Sequence, residues 1–145
     1  MAAFSSSWTL GTGKAVNWPS GVGAKGNAGV AAVIKKREGA IGYLNQSYIR
    51  GSIKAAALQN LAGEFVKPSV EAGAIALNQI TLDQNLAGEN SNPSAPGAYP
   101  IATLTWVLAY ERGNGPDTAT IKEVSNFMLS EEAQNVAPRL GFVPL

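Results

Sequence analysis

The sequence predicts an α/β fold, and three features support this. Short apolar or β-branched runs alternate with segments whose apolar residues recur at helical spacing. Gly, Pro, Asn and Ser mark turns between these segments. The composition is that of a folded domain, with 46% hydrophobic and 14% charged residues. At 145 residues, the chain is long enough for one modest core but too short for two complete ligand-binding lobes.

The first half of the chain predicts one helix followed by short strands. Asn27 is a suitable N-cap, Val30, Val33 and Ile34 share one helical face, and Gly39 supplies a C-terminal stop. The predicted elements are a loop over 1–26, a helix over 28–37, a strand over 40–44, a helical turn over 45–50, and strands over 53–58 and near 65–66.

The second half predicts three helices and one central strand. Ser69, Asp117 and Ser130 are placed as N-caps, and Pro138 limits the last helix. Residues 101–110 are β-branched and aromatic with apolar side chains on both alternating faces, which is typical of a strand covered on both sides. The predicted elements are a helix over 70–80, a loop over 87–100, a strand over 101–110, a helix over 118–129 and a short helix after Ser130.

The absence of two residue types narrows the function. The chain contains no cysteine and no histidine, so thiolate nucleophiles, disulfides and the commonest zinc ligands are excluded, and we predict a protein without a cofactor that is not an enzyme. The adjacent carboxylates Glu131 and Glu132 fall in the first turn of a predicted helix, where the helix dipole favours acidic residues. The net charge of +1 gives no basic surface for nucleic acid.

A glycine-rich loop precedes the first predicted helix. Gly21–Gly26 matches G-x-G-x-x-G, but no strand leads into it and the next predicted strand ends at Asn45 without an acidic residue, so a dinucleotide site is disfavoured. The start of a helix nevertheless exposes free amide groups at the positive end of its dipole. Lys25, Gly26 and Asn27 are therefore weak candidates for an anion-binding corner, and the favoured interpretation is that these glycines serve only the turn.

Neither a membrane span nor a signal peptide is predicted. No run of about 18 apolar residues occurs. The first eight residues lack the positive region and the long apolar region of a signal peptide, and Met1 is interpreted as a possible internal methionine of a longer reading frame.

The order of short motifs along the chain resembles the phosphate-binding proteins of Pst ABC transporters. Single pieces are common, but their succession covers nearly the whole chain. The motifs are Trp8 with Gly11–Gly13, Val16–Pro19, Gly21–Gly23, Gly39–Tyr43, Ala98–Ile101, the strand around Trp106, Ser130–Gln134 and Leu140–Leu145.

This resemblance implies a periplasmic-binding-protein-like (type II) fold with two α/β lobes, incomplete here. It implies that residues 1–98 form part of the second lobe, and that residues 99–145 include the interlobe crossing and return to the first lobe. It further implies a periplasmic or surface-anchored protein that binds inorganic phosphate and delivers it to the permease subunits of an ABC importer. The arginine and Ser-Gly-Thr ligands typical of the family have no counterpart in this sequence.

Two alternatives stay open from the sequence. One is a related oxyanion or signalling binder, for example for tungstate, because the residues that discriminate between anions are missing. A more remote one is an enzyme that acts on a phosphorylated substrate. As the incomplete two-lobe chain that the resemblance implies, the protein would leave the strand over 101–110 without the neighbours that its pattern requires, so we expect the isolated chain to expose apolar surface and to associate.

Overall fold

The computed structural model describes residues 6–13 and 16–145 and divides the chain into two compact units, Met1–Ala55 and Ala56–Leu145. Four α-helices and one small sheet are present in the described part. In chain order these are α1 (Gly26–Lys36), β1 (Leu58–Gln59), β2 (Phe65–Val66), α2 (Val70–Leu77), α3 (Thr118–Met128) and α4 (Glu131–Val136). Helices and a small sheet in one chain agree with the predicted α/β class.

Helix α1 organises the first unit. It begins at Gly26, because the Gly29 N–H donates to the Lys25 carbonyl at 3.2 Å, so the prediction that Asn27 is the N-cap is wrong. Instead the Asn27 Oδ1 accepts the Asn45 N–H at 2.9 Å, which ties the helix start to the residue before the 3₁₀ turn Gln46–Tyr48. That turn confirms the predicted helical turn over 45–50.

The segment over 40–44 is not the strand that its apolar sequence predicts. It crosses closely over α1, since a Cβ on Gly42 would lie 3.0 Å from the side chains of both Val30 and Ile34. The opposite side faces solvent, with Ile41 98% exposed. The segment over 40–44 therefore packs one of its faces against α1. No strand in the described residues of this unit pairs with the segment.

In the second unit, two strands of two residues each form a short hairpin. β1 and β2 pair antiparallel, with Leu58 opposite Val66 and Gln59 opposite Phe65, which confirms the strand near 65–66. The strand predicted over 53–58 is wrong except for its last residue, Leu58, because only this end has a pairing partner.

The helices of the second unit lie close to their predicted ranges. Ser69 and Ser130 cap α2 and α4 as predicted, with each side-chain oxygen accepting an amide N–H of the first turn. Asp117 makes no side-chain cap; the 3₁₀ turn Gly115–Asp117 with Pro116 leads into α3 instead. Helix α4 ends at Val136 and passes into a 3₁₀ turn that contains Pro138.

The core of the second unit is built from small residues and irregular chain. Ala72 and Ala76 of α2 are buried together with Ala98 and Pro93 of the loop over 87–100. That loop has neither helix nor strand, as predicted, yet it supplies some of the most buried atoms of the unit. Within the described residues, no helix has the length and apolarity needed to cross a membrane.

The predicted central strand over 101–110 does not form. The segment has no helix, strand or turn from residue 102 to residue 110. Its side chains lie largely in solvent, with Trp106 45% and Leu108 91% exposed. A strand requires a neighbour to pair with, and the described part of this unit offers none to this segment. The expected exposure of apolar surface is thus present, while association in solution stays a prediction.

Candidate functional site

The glycine-rich loop and the start of α1 contain the residues predicted from sequence as an anion-binding corner. Lys25 is the N-cap residue, Gly26 opens the helix with a φ of 63°, and both are exposed together with Asn27. The first-turn amides of a helix have no intrahelical acceptor. The three residues are therefore adjacent and accessible, but the Oδ1 of Asn27 is already engaged by the Asn45 N–H.

The context of G-x-G-x-x-G at residues 21–26 agrees with the predicted exclusion of a dinucleotide site. The described residues before it, 16–20, contain no strand, and residues 21–24 lead into the helix as irregular chain. A dinucleotide fold needs a strand, a tight turn and a helix in succession. The motif accordingly serves the entry to α1.

A small basic hollow lies along the side of α1. Ala28, Ala31 and Lys35 of the helix face Tyr48 and Arg50 around a cavity of about 200 Å³. The Arg50 guanidinium lies 6.0 Å from the centroid of the Tyr48 ring, at the outer limit of a cation–π contact. Because Lys35 and Arg50 are exposed, their attraction for an anion is screened by solvent and is weak.

A hydrogen-bond cluster around Asn60 is the main polar feature of the second unit. Asn60 is only 5% exposed. Its Oδ1 accepts the Glu64 N–H at 2.9 Å, and its Nδ2 donates to the Ala98 carbonyl at 3.3 Å and to the Glu64 Oε2 at 3.2 Å. The same Oε2 accepts the Gly97 N–H at 2.6 Å. These contacts join the hairpin turn to the loop over 87–100.

Sequence reasoning missed this cluster because its partners are far apart along the chain. Asn60 and Ala98 are separated by 38 positions, and Glu64 and Gly97 by 33. Asn60 next to a turn predicts nothing more than a surface loop residue. The closeness of Asn60 and Glu64 between two predicted strands is the only local signal that the sequence offers.

The Glu64 carboxylate responds to this environment. The Gly97 N–H, and after it the Asn60 side chain, hold the pKa of Glu64 below its ordinary value. A carboxyl whose pKa is lower in the folded state contributes stability above its unfolded pKa, and this contribution is lost as the pH falls through the folded pKa. We expect the Gly97 amide resonance to titrate with that lowered pKa, and its protection factor, taken relative to the intrinsic exchange rate at each pH, to fall as Glu64 is protonated.

The matched control for this titration is Glu64→Gln. The amide cannot ionise, so the acid-dependent change at Gly97 should vanish, while Asp83, whose pKa is lowered by the amides of Ala87 and Asn85, should titrate unchanged. An unaltered acid transition at Gly97 in Glu64→Gln would contradict the assignment to Glu64. NMR over acid pH measures both sites in one sample.

The adjacent acidic residues predicted at a helix start lie there in the structure. Glu131 and Glu132 occupy the first turn of α4, as predicted from the helix dipole. No group of three or more Asp, Glu, His or Cys residues that could hold a metal ion occurs among the described residues.

Comparison with known proteins finds a matching family model and several similar proteins. The chain matches the family model described as "PBP superfamily domain" over residues 5–132. It is 36% identical to "Phosphate-binding protein PstS" of Xylella fastidiosa strain Temecula1, over 94% of this chain and 38% of that protein. It is 33% identical to the protein of the same name from Pasteurella multocida, over 100% of this chain and 44% of that protein. For the Methanocaldococcus jannaschii protein, the identity is 34% over 100% of this chain and 43% of that protein. The chain thus spans less than half the length of these relatives.

Proposed function

Because the chain belongs to the PBP superfamily, we propose that it forms part of a solute-binding protein that captures inorganic phosphate for an ABC importer. The observation that carries the proposal is the similarity to phosphate-binding proteins over 94–100% of this chain. The matched relatives are named as binding proteins, and the lack of histidine and cysteine fits a binding role better than an enzymatic one.

The chemistry of phosphate binding defines which ligand groups such a site requires. A dehydrated phosphate needs charge-assisted hydrogen bonds to each oxygen, and an acceptor carboxylate for its remaining proton. A buried acceptor left unpaired would reject sulfate, which carries no proton at neutral pH. Two places in the described residues could attract an anion, the start of α1 and the basic hollow beside it. The charged groups there, such as Lys25 and Arg50, are exposed to solvent.

We therefore place the main phosphate ligands in polypeptide that the relatives have beyond the matched region. Lys25, Gly26 and Asn27 stay a proposed secondary corner, whose exposed lysine contributes little to affinity. The proposed location is outside the cytoplasmic membrane, in the periplasm or anchored at the cell surface, where permease subunits would receive the solute. No nucleic acid partner is proposed, since the net charge is +1.

Calorimetric titration with phosphate tests this proposal. The chain alone should show no binding at millimolar phosphate. A chimera in which residues 1–145 replace the matched region of the Xylella fastidiosa relative should bind phosphate, with affinity at least about 100-fold tighter than the chain alone. Lys25→Ala in the chimera should change Kd by less than about threefold.

Sulfate and tungstate serve as the competing solutes in the same titration. Preference of the chimera for phosphate over both supports the proposed function. A folded chimera that binds tungstate or sulfate more tightly than phosphate would assign the chain to a different oxyanion binder. Phosphate binding by the chain alone, abolished by Lys25→Ala, would overturn the placement of the main ligands elsewhere.

A further inference from the structure

The charges of the chain are divided unevenly between its two units. Seven of the 11 lysines and arginines, but only one of the 10 acidic residues, fall within residues 1–55. The first unit therefore carries a net charge of +6, while residues 56–145, with four basic and nine acidic residues, carry −5. The overall net charge of +1 hides this separation, because the two contributions nearly cancel.

The basic side chains of the first unit are open to solvent. Each of the six in the described residues is exposed, and no acidic side chain there forms an ion pair with any of them. These six are Lys25, Lys35, Lys36, Arg37, Arg50 and Lys54. The acidic residue of this unit, Glu38, follows directly after the basic run at the end of α1. Nearly all of the positive charge is therefore available to a partner.

Helix α1 arranges part of this charge in a shallow strip. Lys25 is the N-cap residue and Lys35 lies in the last turn, so the two are about 15 Å apart along the helix axis. Between them, Ala28 and Ala32 are exposed and too short to cover the surface. Arg50 reaches the same side of the helix and lines the basic hollow of about 200 Å³ together with both alanines and Lys35. We call these five residues the basic strip.

The open shape of the basic strip suits an extended anionic surface better than a single anion. One exposed cation adds little to the binding of one ion, because water and salt screen the charge. A surface with many anions engages all of the cations together, and each lysine or arginine near an anionic bilayer improves binding by about fivefold. Clusters of roughly four to eight such residues are typical of segments that bind anionic lipid.

We propose that the first unit binds the surface of an anionic lipid bilayer through the basic strip and the neighbouring Lys36. Headgroup phosphates are the ligands, since ammonium and guanidinium groups donate charge-assisted hydrogen bonds to phosphate oxygens. Arg37 and Lys54 add to the positive field of the same unit. The second unit, with its net charge of −5, is repelled by such a surface, so contact is confined to the first unit.

Two observations favour lipid over nucleic acid. The Tyr48 ring beside the strip faces the Arg50 guanidinium at 6.0 Å, so the ring is not presented for stacking on a base. The proposed location outside the cytoplasmic membrane brings the chain next to lipid headgroups, and to that extent the choice of partner rests on the proposed function. An acidic polypeptide would meet the same cations, and the experiment distinguishes it.

Flotation with lipid vesicles in a buffer without phosphate tests the proposal. Vesicles of phosphatidylglycerol mixed with phosphatidylcholine should carry the chain upward at low ionic strength, whereas vesicles of phosphatidylcholine alone should not. At about 1 M salt, where the Debye length is about 3 Å, the chain should be released. Aggregated chain sinks and is not counted as bound. Since no phosphate is present, failure here is separate from failure of the phosphate titration.

A triple variant removes the cations at one end of the strip. Lys35→Gln, Lys36→Gln and Arg50→Gln together should weaken binding to the anionic vesicles by at least about 30-fold. All three side chains are exposed and glutamine is a good helix former, so α1 should stay intact. Circular dichroism of the variant checks this.

The matched control lowers the net charge by the same amount in the second unit. Lys67→Gln, Arg112→Gln and Lys122→Gln remove three exposed cations there. Vesicle binding should change by less than about threefold at about 0.1 M salt. Equal losses in the two triple variants would overturn the proposal, because binding would then follow net charge and not the basic strip.

Three further outcomes would overturn it. The first is that the anionic vesicles do not carry the chain. The second is equal flotation with phosphatidylcholine vesicles at any salt concentration, which would assign binding to exposed apolar side chains. The third is tighter binding to double-stranded DNA or to polyglutamate than to the anionic vesicles at equal concentration of charge, which would assign the surface to nucleic acid or to an acidic protein.

Discussion

Replacing Asn60 by alanine is expected to loosen the second unit around the β1–β2 hairpin and the loop over 87–100. The side chain is 5% exposed and makes three hydrogen bonds, to the Glu64 N–H, the Glu64 carboxylate and the Ala98 carbonyl. Ala98 is fully buried, so its carbonyl loses a partner that water cannot readily replace. Leaving a buried polar group unsatisfied costs about 2 kcal/mol.

Amide exchange at the hairpin and at Gly97 measures this effect. A loss of about 2 kcal/mol corresponds to exchange faster by roughly 30-fold. Gln59→Ala is the matched control, because the Gln59 Nε2 donates to the Gly63 carbonyl at 3.2 Å at an exposed position. That variant should change exchange by less than about threefold.

A third variant separates the acceptor role of Asn60 from its donor role. Asn60→Asp retains an oxygen for the Glu64 N–H but places a carboxylate beside the Glu64 carboxylate and removes the donor to Ala98. We expect its exchange to be fast at neutral pH and to approach that of the parent chain as acid protonates one of the two groups. Parent-like exchange of Asn60→Ala, or equal effects of Asn60→Ala and Gln59→Ala, would contradict the role given to the cluster.

Local signals in the sequence predicted the helices well. Each of the four helices lies within about three residues of its predicted range, and Ser69 and Ser130 act as the N-caps expected of them. Helix periodicity and capping are properties of consecutive residues. Asn27 failed as a cap because a distant amide, the Asn45 N–H, engages its side chain.

Strands were predicted less well because a strand depends on its partner. The apolar patterns at 40–44 and 101–110 are genuine, and both segments run without helical structure. Pairing also requires a neighbour, and the sequence of one segment does not reveal whether that neighbour lies within the same chain. Only β1 and β2, joined by a short turn, combine both requirements locally.

The candidate site was predictable only in part for a related reason. Lys25, Gly26 and Asn27 are adjacent in sequence, so their exposure at a helix start follows from local pattern. The Asn60 cluster depends on contacts across more than 30 positions, which periodicity does not encode. The family resemblance, carried by ordered motifs, indicated the PBP superfamily that the family match shows.

Replacing Gly88 by alanine is expected to disrupt the start of the loop over 87–100, whose later residues Pro93 and Ala98 are buried in the second unit. A Cβ at this position would collide with the Thr81 backbone carbonyl and would also come within 2.9 Å of the Ile80 side chain. Backbone atoms cannot move aside as the end of a side chain can, so the turn over 81–88 must shift. Overpacking of this kind costs roughly 2–3 kcal/mol.

The shift should propagate to Trp106 through the turn over 81–88. Asp83 closes this turn by accepting the Asn85 and Ala87 N–H groups at 2.7 and 3.0 Å, and the Leu86 carbonyl accepts the Trp106 indole N–H at 2.7 Å. Displacement of Leu86 breaks the tether at Trp106. We expect a red-shifted indole emission in a background where Trp8 and Trp18 are replaced by phenylalanine.

Gly23→Ala is the control, since a Cβ there meets nothing within 4 Å. It should leave the emission and the amide exchange of residues 81–88 unchanged. Gly88→Ala, by contrast, should accelerate exchange at the Ala87 amide by at least about 20-fold. If Gly88→Ala behaves like Gly23→Ala, the turn over 81–88 adapts without strain and does not hold the Trp106 segment in place. If the accelerated exchange appears without a change in emission, the turn is strained but Trp106 is held by other contacts.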